Sequence, residues 1–190
     1  MKTAILIHGM QSKEEYLSPT TPAASNNQWF PWIQKQLSLA GIIAQTPEMP
    51  EPYRLDYQKW KQVFEQFTLN EDTILVGHSC GGGFLVRWLS ENDVKVGKVV
   101  LVAPWINPKS NEPAPGFFDF EVDPNLASKA EELHLFVSSD DEQDELDTAK
   151  ILEEKVSGIK FHRFTDRGHF CVGFNLKSEE FPELLEVLKG

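Results

Sequence analysis

The sequence predicts an α/β fold, a mostly parallel sheet covered by helices on both faces. Three observations lead to it. Short β-type apolar runs alternate along the chain with stretches whose apolar residues recur at helical spacing. The runs are continuous, as strands buried on both faces require, and the alternation supplies the crossover helix that each parallel connection needs.

The elements follow in order. Ala4-Ile5-Leu6-Ile7 predicts a buried strand, and Trp29 to Leu39 a helix with Trp29, Trp32, Ile33 and Leu37 at helical spacing, ended by Gly41. Ile42-Ile43-Ala44 is a short second strand, Asp56 to Phe67 a helix with Trp60, Val63, Phe64 and Phe67 on one face, and Thr73 to Val76 a third strand. A helix over about Gly81 to Ser90 comes next, then a fourth strand, Val99 to Val102, closed by Ala103-Pro104. The stretch from Asn107 to Asp123 is rich in Pro, Asn and Gly and predicts a loop insertion over the top of the sheet. Leu133 to Val137, Glu145 to Val156, Lys160 to Phe164 and Phe181 to Lys189 then give strand, helix, strand and a closing helix. With no internal repeat, low-complexity tract or linker, one domain over residues 1–190 is expected.

Composition sets the partners. A chain of 190 residues can bury roughly 70% of its unfolded surface, and 41% hydrophobic with 25% charged residues is ordinary globular usage. With 18 Lys and Arg against 29 Asp and Glu, the formal charge is -11, which repels nucleic acid and anionic membrane surfaces. Cys80 and Cys171 are too few for a disulfide framework and lack paired metal-site spacing, so reduced thiols are expected. The first apolar run is interrupted by His8 and Gly9, too short for a signal-peptide core or a membrane span; a cytoplasmic location is the expectation.

Sheets of this class bind ligands beyond the carboxyl ends of their strands, so the residues just after the strands carry the search. Gly77-His78-Ser79-Cys80-Gly81 fits G-x-S-x-G, a sharp strand-to-helix turn that pushes a strained serine into a site. It directly follows an apolar strand and opens a helix with Phe84, Leu85, Trp88 and Leu89, the context the motif needs. A Gly-rich turn with an incidental serine is the bland reading.

A serine hydroxyl is a poor nucleophile at neutral pH and needs a base. Of the five histidines, His169 alone follows the last predicted strand in a suitable turn, Thr165-Asp166-Arg167-Gly168-His169-Phe170. The acid should lie after the fifth strand, in Ser138-Ser139-Asp140-Asp141-Glu142-Gln143-Asp144; Asp141 is chosen, with Asp140 the rival. Oxyanion donors are expected from the backbone N–H groups of Cys80, after the serine, and Met10, after the first strand. For Met10 a plain turn is the alternative.

These segments resemble the retinoblastoma-binding protein 9 and YdeN-like family of small serine hydrolases, a minimal branch of the α/β-hydrolase superfamily. Trp29-Phe30-Pro31-Trp32, Met49-Pro50-Glu51-Pro52, Gly77-His78-Ser79, Ser139-Asp140-Asp141 and Thr165 to Phe170 carry the resemblance, in order over nearly the whole chain. It implies a six-stranded parallel sheet without a large cap domain, and a catalytic serine, aspartate and histidine at Ser79, Asp141 and His169. Two departures stand out: Glu142-Gln143-Asp144-Glu145 replaces the usual proline-containing apolar turn, and Met10 to Asn27 is long.

Acyl transfer through Ser79, requiring neither metal nor organic cofactor, is therefore expected. Its substrate would be a small-molecule ester, with amides, peptides and thioesters as alternatives. Activity should fall below about pH 6 as the imidazole protonates. His8, Trp105 and Phe170 are the candidate substrate contacts, and Trp105, Phe117, Phe118 and Phe170 either line an acyl pocket or pack the core. A scaffold reused for protein binding is the reading from another class.

Overall fold

The computed structural model describes residues 1–106, 114–173 and 175–190. Six strands, β1 (Thr3–Ile7), β2 (Ile43–Gln45), β3 (Thr73–His78), β4 (Val96–Val102), β5 (Ala130–Ser138) and β6 (Ile159–Phe164), form one sheet in the order β2-β1-β3-β4-β5-β6. All five pairings are parallel. The helices are α1 (Lys13–Leu17), α2 (Phe30–Leu39), α3 (Tyr57–Phe64), α4 (Cys80–Glu91), α5 (Gln143–Lys155) and α6 (Pro182–Lys189).

Strand periodicity divides the core in two. Ile5, Ile7, Leu75, Val99 and Leu101 point to one face, where Trp60, Phe64, Phe84, Trp88 and Leu152 of α3, α4 and α5 cover them. Ala4, Leu6, Ile74, Val76, Val100 and Val102 point to the other, beneath Phe30, Ile33 and Leu37 of α2 and Leu184 and Leu188 of α6. Each large side chain buried this way is worth about 1.5–3 kcal/mol, so both helical layers are held mainly by the sheet they cover.

Local signals set the helix ends. Asp56 caps α3 by accepting from the backbone N–H groups of Gln58 and Lys59 at 3.0 and 3.1 Å. Gly41, at φ +78°, follows the end of α2 in the left-handed conformation that terminates helices. α1 went unpredicted; it has no buried residue and is closed by a capping box between Ser12 and Glu15.

The predicted loop insertion is only partly described, since residues 107–113 fall outside the described residues. From Ala114 onward it packs on the α3 and α4 side, where Phe117 is 1% exposed and its ring meets Tyr57, Trp60 and Phe84. Arg87 of α4 holds it there by donating to the Gly116 and Phe117 carbonyls at 2.6 and 2.8 Å. Phe117 is thus a core residue. Among the described residues no helix is long and apolar enough to cross a membrane.

Strand order also places the site. From β1 the chain moves to the β2 edge, then returns to the other side of β1 and proceeds through β3 to β6. The crevice beyond the carboxyl ends of β1 and β3 is therefore a topological switch point, the place where open parallel sheets bind ligands.

Candidate active site

Ser79 stands between β3 and α4 with φ 54° and ψ −126°, a backbone conformation costing a non-glycine residue about 1–3 kcal/mol. Its surroundings enforce that conformation. The Ser79 N–H donates to the Val102 carbonyl at 3.0 Å, and its own carbonyl accepts from Gly83 and Trp105, both at 3.1 Å. A Cβ on Gly77 would lie 2.6 Å from the Gly81 carbonyl oxygen, and one on Gly81 would lie 2.4 Å from the carbonyl oxygens of both Ile7 and His8. The motif glycines are there because strand, turn and helix touch backbone to backbone. Gly9 brings the β1 loop equally close, since a Cβ there would be 3.0 Å from the Ser79 Cβ.

His169 reaches the same crevice from beyond β6. Its Nδ1–H donates to Asp141 at 3.0 Å from Oδ1 and 3.3 Å from Oδ2. That bond fixes the tautomer and leaves Nε2 as an acceptor. Burial works against the charged imidazole, but the Asp141 hydrogen bond and charge, with the charges of Glu145 and Glu142, outweigh it and lift the pKa above its ordinary value. The Asp141 side chain is fully buried. Among the described residues no direct hydrogen bond joins the Ser79 hydroxyl to His169, although both line one cleft.

The two aspartates have divided roles. Asp140 accepts from the Ser138 hydroxyl, from the Gly168 N–H at 3.0 Å and from the Asn175 side chain at 2.7 Å. The Ser138 hydroxyl bond, foremost among these, holds its carboxyl below the usual range. Asp140 thus ties the β5 loop to the turn that carries His169, while Asp141 faces the ring. Ser138 strengthens the tie by accepting from the Arg167 N–H at 3.0 Å.

His78 and His8 are neutral supports. His78 Nε2–H donates to the His169 carbonyl at 2.9 Å, and burial drives its pKa down to about 3. His8 donates from Nδ1 to the Gly9 carbonyl at 2.7 Å and accepts the Met49 N–H at Nε2, 2.8 Å away, with burial lowering its pKa.

The cleft holds about 340 Å³, within the range of small-ligand sites, and His8, Met10, Gln11, Gln28 and Phe30 also line it. A groove of about 400 Å³ between Arg54, Lys59 and Arg87 shares none of these residues. Of the expected substrate contacts, His8 faces the cleft. Among the described residues Trp105 and Phe170 do not: the Trp105 ring packs on Phe118, 5.1 Å between centroids. The Phe170 ring is 0% exposed among Phe136, Phe164 and Phe181. Phe170 is instead an anchor, with φ 54° and a carbonyl that accepts from Trp29 Nε1 at 3.0 Å. Cys80 and Cys171 are both free thiols, and burial pushes Cys171 up to about 12.

Sequence reasoning missed Glu145. This α5 residue is 7% exposed, lies 3.9 Å from His169 Nδ1 through Oε1, and burial pushes its carboxyl up to about 7. Its spacing, four residues after Asp141 at the start of a helix, was the available signal.

Comparison with known proteins gives the family and the fold. The serine hydrolase family model matches residues 16–189. The chain is 27% identical to YdeN of Bacillus subtilis (strain 168) over 182 residues, 91% of each chain. It is also 27% identical to the serine hydrolase RBBP9 of Rattus norvegicus over 171 residues, 85% of each chain. The crystal structure of the B. subtilis ydeN gene product superimposes with a TM-score of 0.82 at 24% identity, covering 99% of this chain and 97% of that one, and so shares the fold. The six-stranded parallel sheet with its elbow after β3 is a minimal α/β-hydrolase fold, and the chain belongs to the serine hydrolase family.

Proposed function

We propose that this hydrolase cleaves small carboxylic esters through an acyl-enzyme on Ser79. Ser79 Oγ attacks the ester carbonyl carbon as its proton passes to His169 Nε2, and the carbonyl π electrons move onto oxygen. Asp141 stabilises the resulting imidazolium through the Nδ1–H bond. Backbone N–H groups of Cys80, at the helix start, and Met10, in the β1 loop, receive the oxyanion. Collapse expels the alcohol, which takes the proton from His169 Nε2; water then repeats the cycle and releases the acid.

One observation carries the reading: a strained serine and an imidazole locked to a buried carboxylate line the same cleft. The hydroxyl and the ring share that cleft, and catalytic hydrogen bonds commonly tighten when substrate binds. Substrate size follows from the lining. The aromatic rings of Phe117 and Phe170 belong to the core rather than to an acyl tunnel, which favours short acyl groups.

The test is labelling by a fluorophosphonate and hydrolysis of p-nitrophenyl esters. Wild type should label and cleave the acetate faster than the octanoate, and Ser79→Ala should do neither. Labelling that persists in Ser79→Ala would overturn the assignment.

A further inference from the structure

The mechanism above leaves one buried carboxylate unused. Glu145 sits in the first turn of α5 with its side chain almost wholly buried, and its Oε2 has no hydrogen-bond partner among the described residues. A buried carboxylate oxygen without a partner is costly, so it calls for a reason. The ionisable groups acting most strongly on it are His169, Asp141 and Glu142. Ligand atoms of Asp141, Glu145 and His169 all lie within 4.8 Å of one another.

We propose that Glu145 is a second acidic partner of His169, a positioning residue that backs Asp141 in orienting the ring and supports the imidazolium formed when Ser79 loses its proton. Three features carry this. Oε1 lies 3.9 Å from the ring nitrogen that Asp141 holds, so a small rotation brings it within hydrogen-bond range. Both carboxylate side chains are buried, which strengthens a charge at that distance relative to one in water. And α5 starts just after the Asp141 loop, so the two carboxylates approach Nδ1 from one short stretch of chain. The inference rests on His169 being the base.

Substituting Glu145→Gln keeps the volume and removes the charge. NMR titration of the His169 ring should then show its pKa lower by about half a unit or more, because a neighbouring carboxylate favours the charged imidazole. The acid limb of kcat/KM for p-nitrophenyl acetate should move down with it. Glu145→Asp, which keeps the charge but draws it back, should give a smaller shift. In an Asp141→Ala background, where Glu145 is the remaining carboxylate at the ring, adding Glu145→Gln should lower kcat/KM about tenfold further, the usual scale for one charged hydrogen bond. An unchanged His169 titration in Glu145→Gln, or equal rates for the single and double variants, would overturn the proposal. The NMR readout does not depend on Ser79, so it decides the role of Glu145 even if fluorophosphonate labelling refutes the hydrolase reading.

Discussion

The Ser79 corner and the His169 corner of the cleft are built by different means. Around Ser79 the backbone does the positioning: glycines at 77 and 81 let strand, turn and helix meet at distances no side chain tolerates. Around His169 side chains do it, through Ser138, Asp140, Asp141 and the buried ring of Phe170. The first corner is defined by what is excluded and the second by hydrogen bonds that are made. Damage to the first should therefore cost the fold, and damage to the second should cost rate while sparing the fold.

The sharpest way to break this contrast is Gly81→Ala. The new Cβ meets two carbonyl oxygens of β1 and its loop at 2.4 Å, so a loss of about 4 kcal/mol or more is expected, lowering Tm by about 10 °C or abolishing soluble protein. A variant melting within 2–3 °C of wild type, roughly the shift for 1 kcal/mol, would show that the elbow yields more than its contacts suggest.

Next in size is the pair of aspartates. Asp141→Asn should reduce kcat/KM by about a thousandfold or more, because an amide no longer holds the ring in its working tautomer. Asp140→Ala should cost about 10- to 100-fold, since it frees the turn and shifts the ring rather than removing its partner. Steady-state kinetics on p-nitrophenyl acetate decide it. If Asp140→Ala proves the more damaging, the division of roles drawn from their hydrogen bonds is wrong.

The smallest effect is a displacement of the pH profile. His169 has its pKa raised, so the neutral base is lost as pH falls through a value above the ordinary 6.5, and the acid limb should begin higher than the pH 6 expected from sequence. Below that point kcat/KM should drop about tenfold per unit. A limb centred below 6.5 would mean that burial outweighs Asp141 and its neighbours.

The same contrast explains what could be read from sequence. Six strands and five of the six helices were legible, because buried parallel strands leave continuous apolar runs and their helices leave a 3.6-residue period. The strained turn at Ser79 was legible because backbone crowding dictates glycine at fixed offsets. Asp141 is chosen from sequence with Asp140 still its rival, since which of two adjacent carboxylates faces a ring depends on a turn that neither residue announces. From sequence Phe170 stands between substrate contact and core, because an aromatic residue beside His169 looks the same whether it faces substrate or core. α1 and Glu145 were missed for opposite reasons: one buries nothing, and the other buries a charge that local pattern assigns to solvent.

The strand order has one more consequence. The turn carrying His169 and the turn carrying Ser79 follow β6 and β3, three strand spacings apart, about 14 Å. The loop beyond β6 must lean back across that span, and it is moored at its far end by the Trp29 indole at the start of α2 and by His78 beside Ser79. Helix α2 is therefore a strut of the cleft, and under the proposed mechanism changes in its seating against the sheet would be felt as changes in turnover.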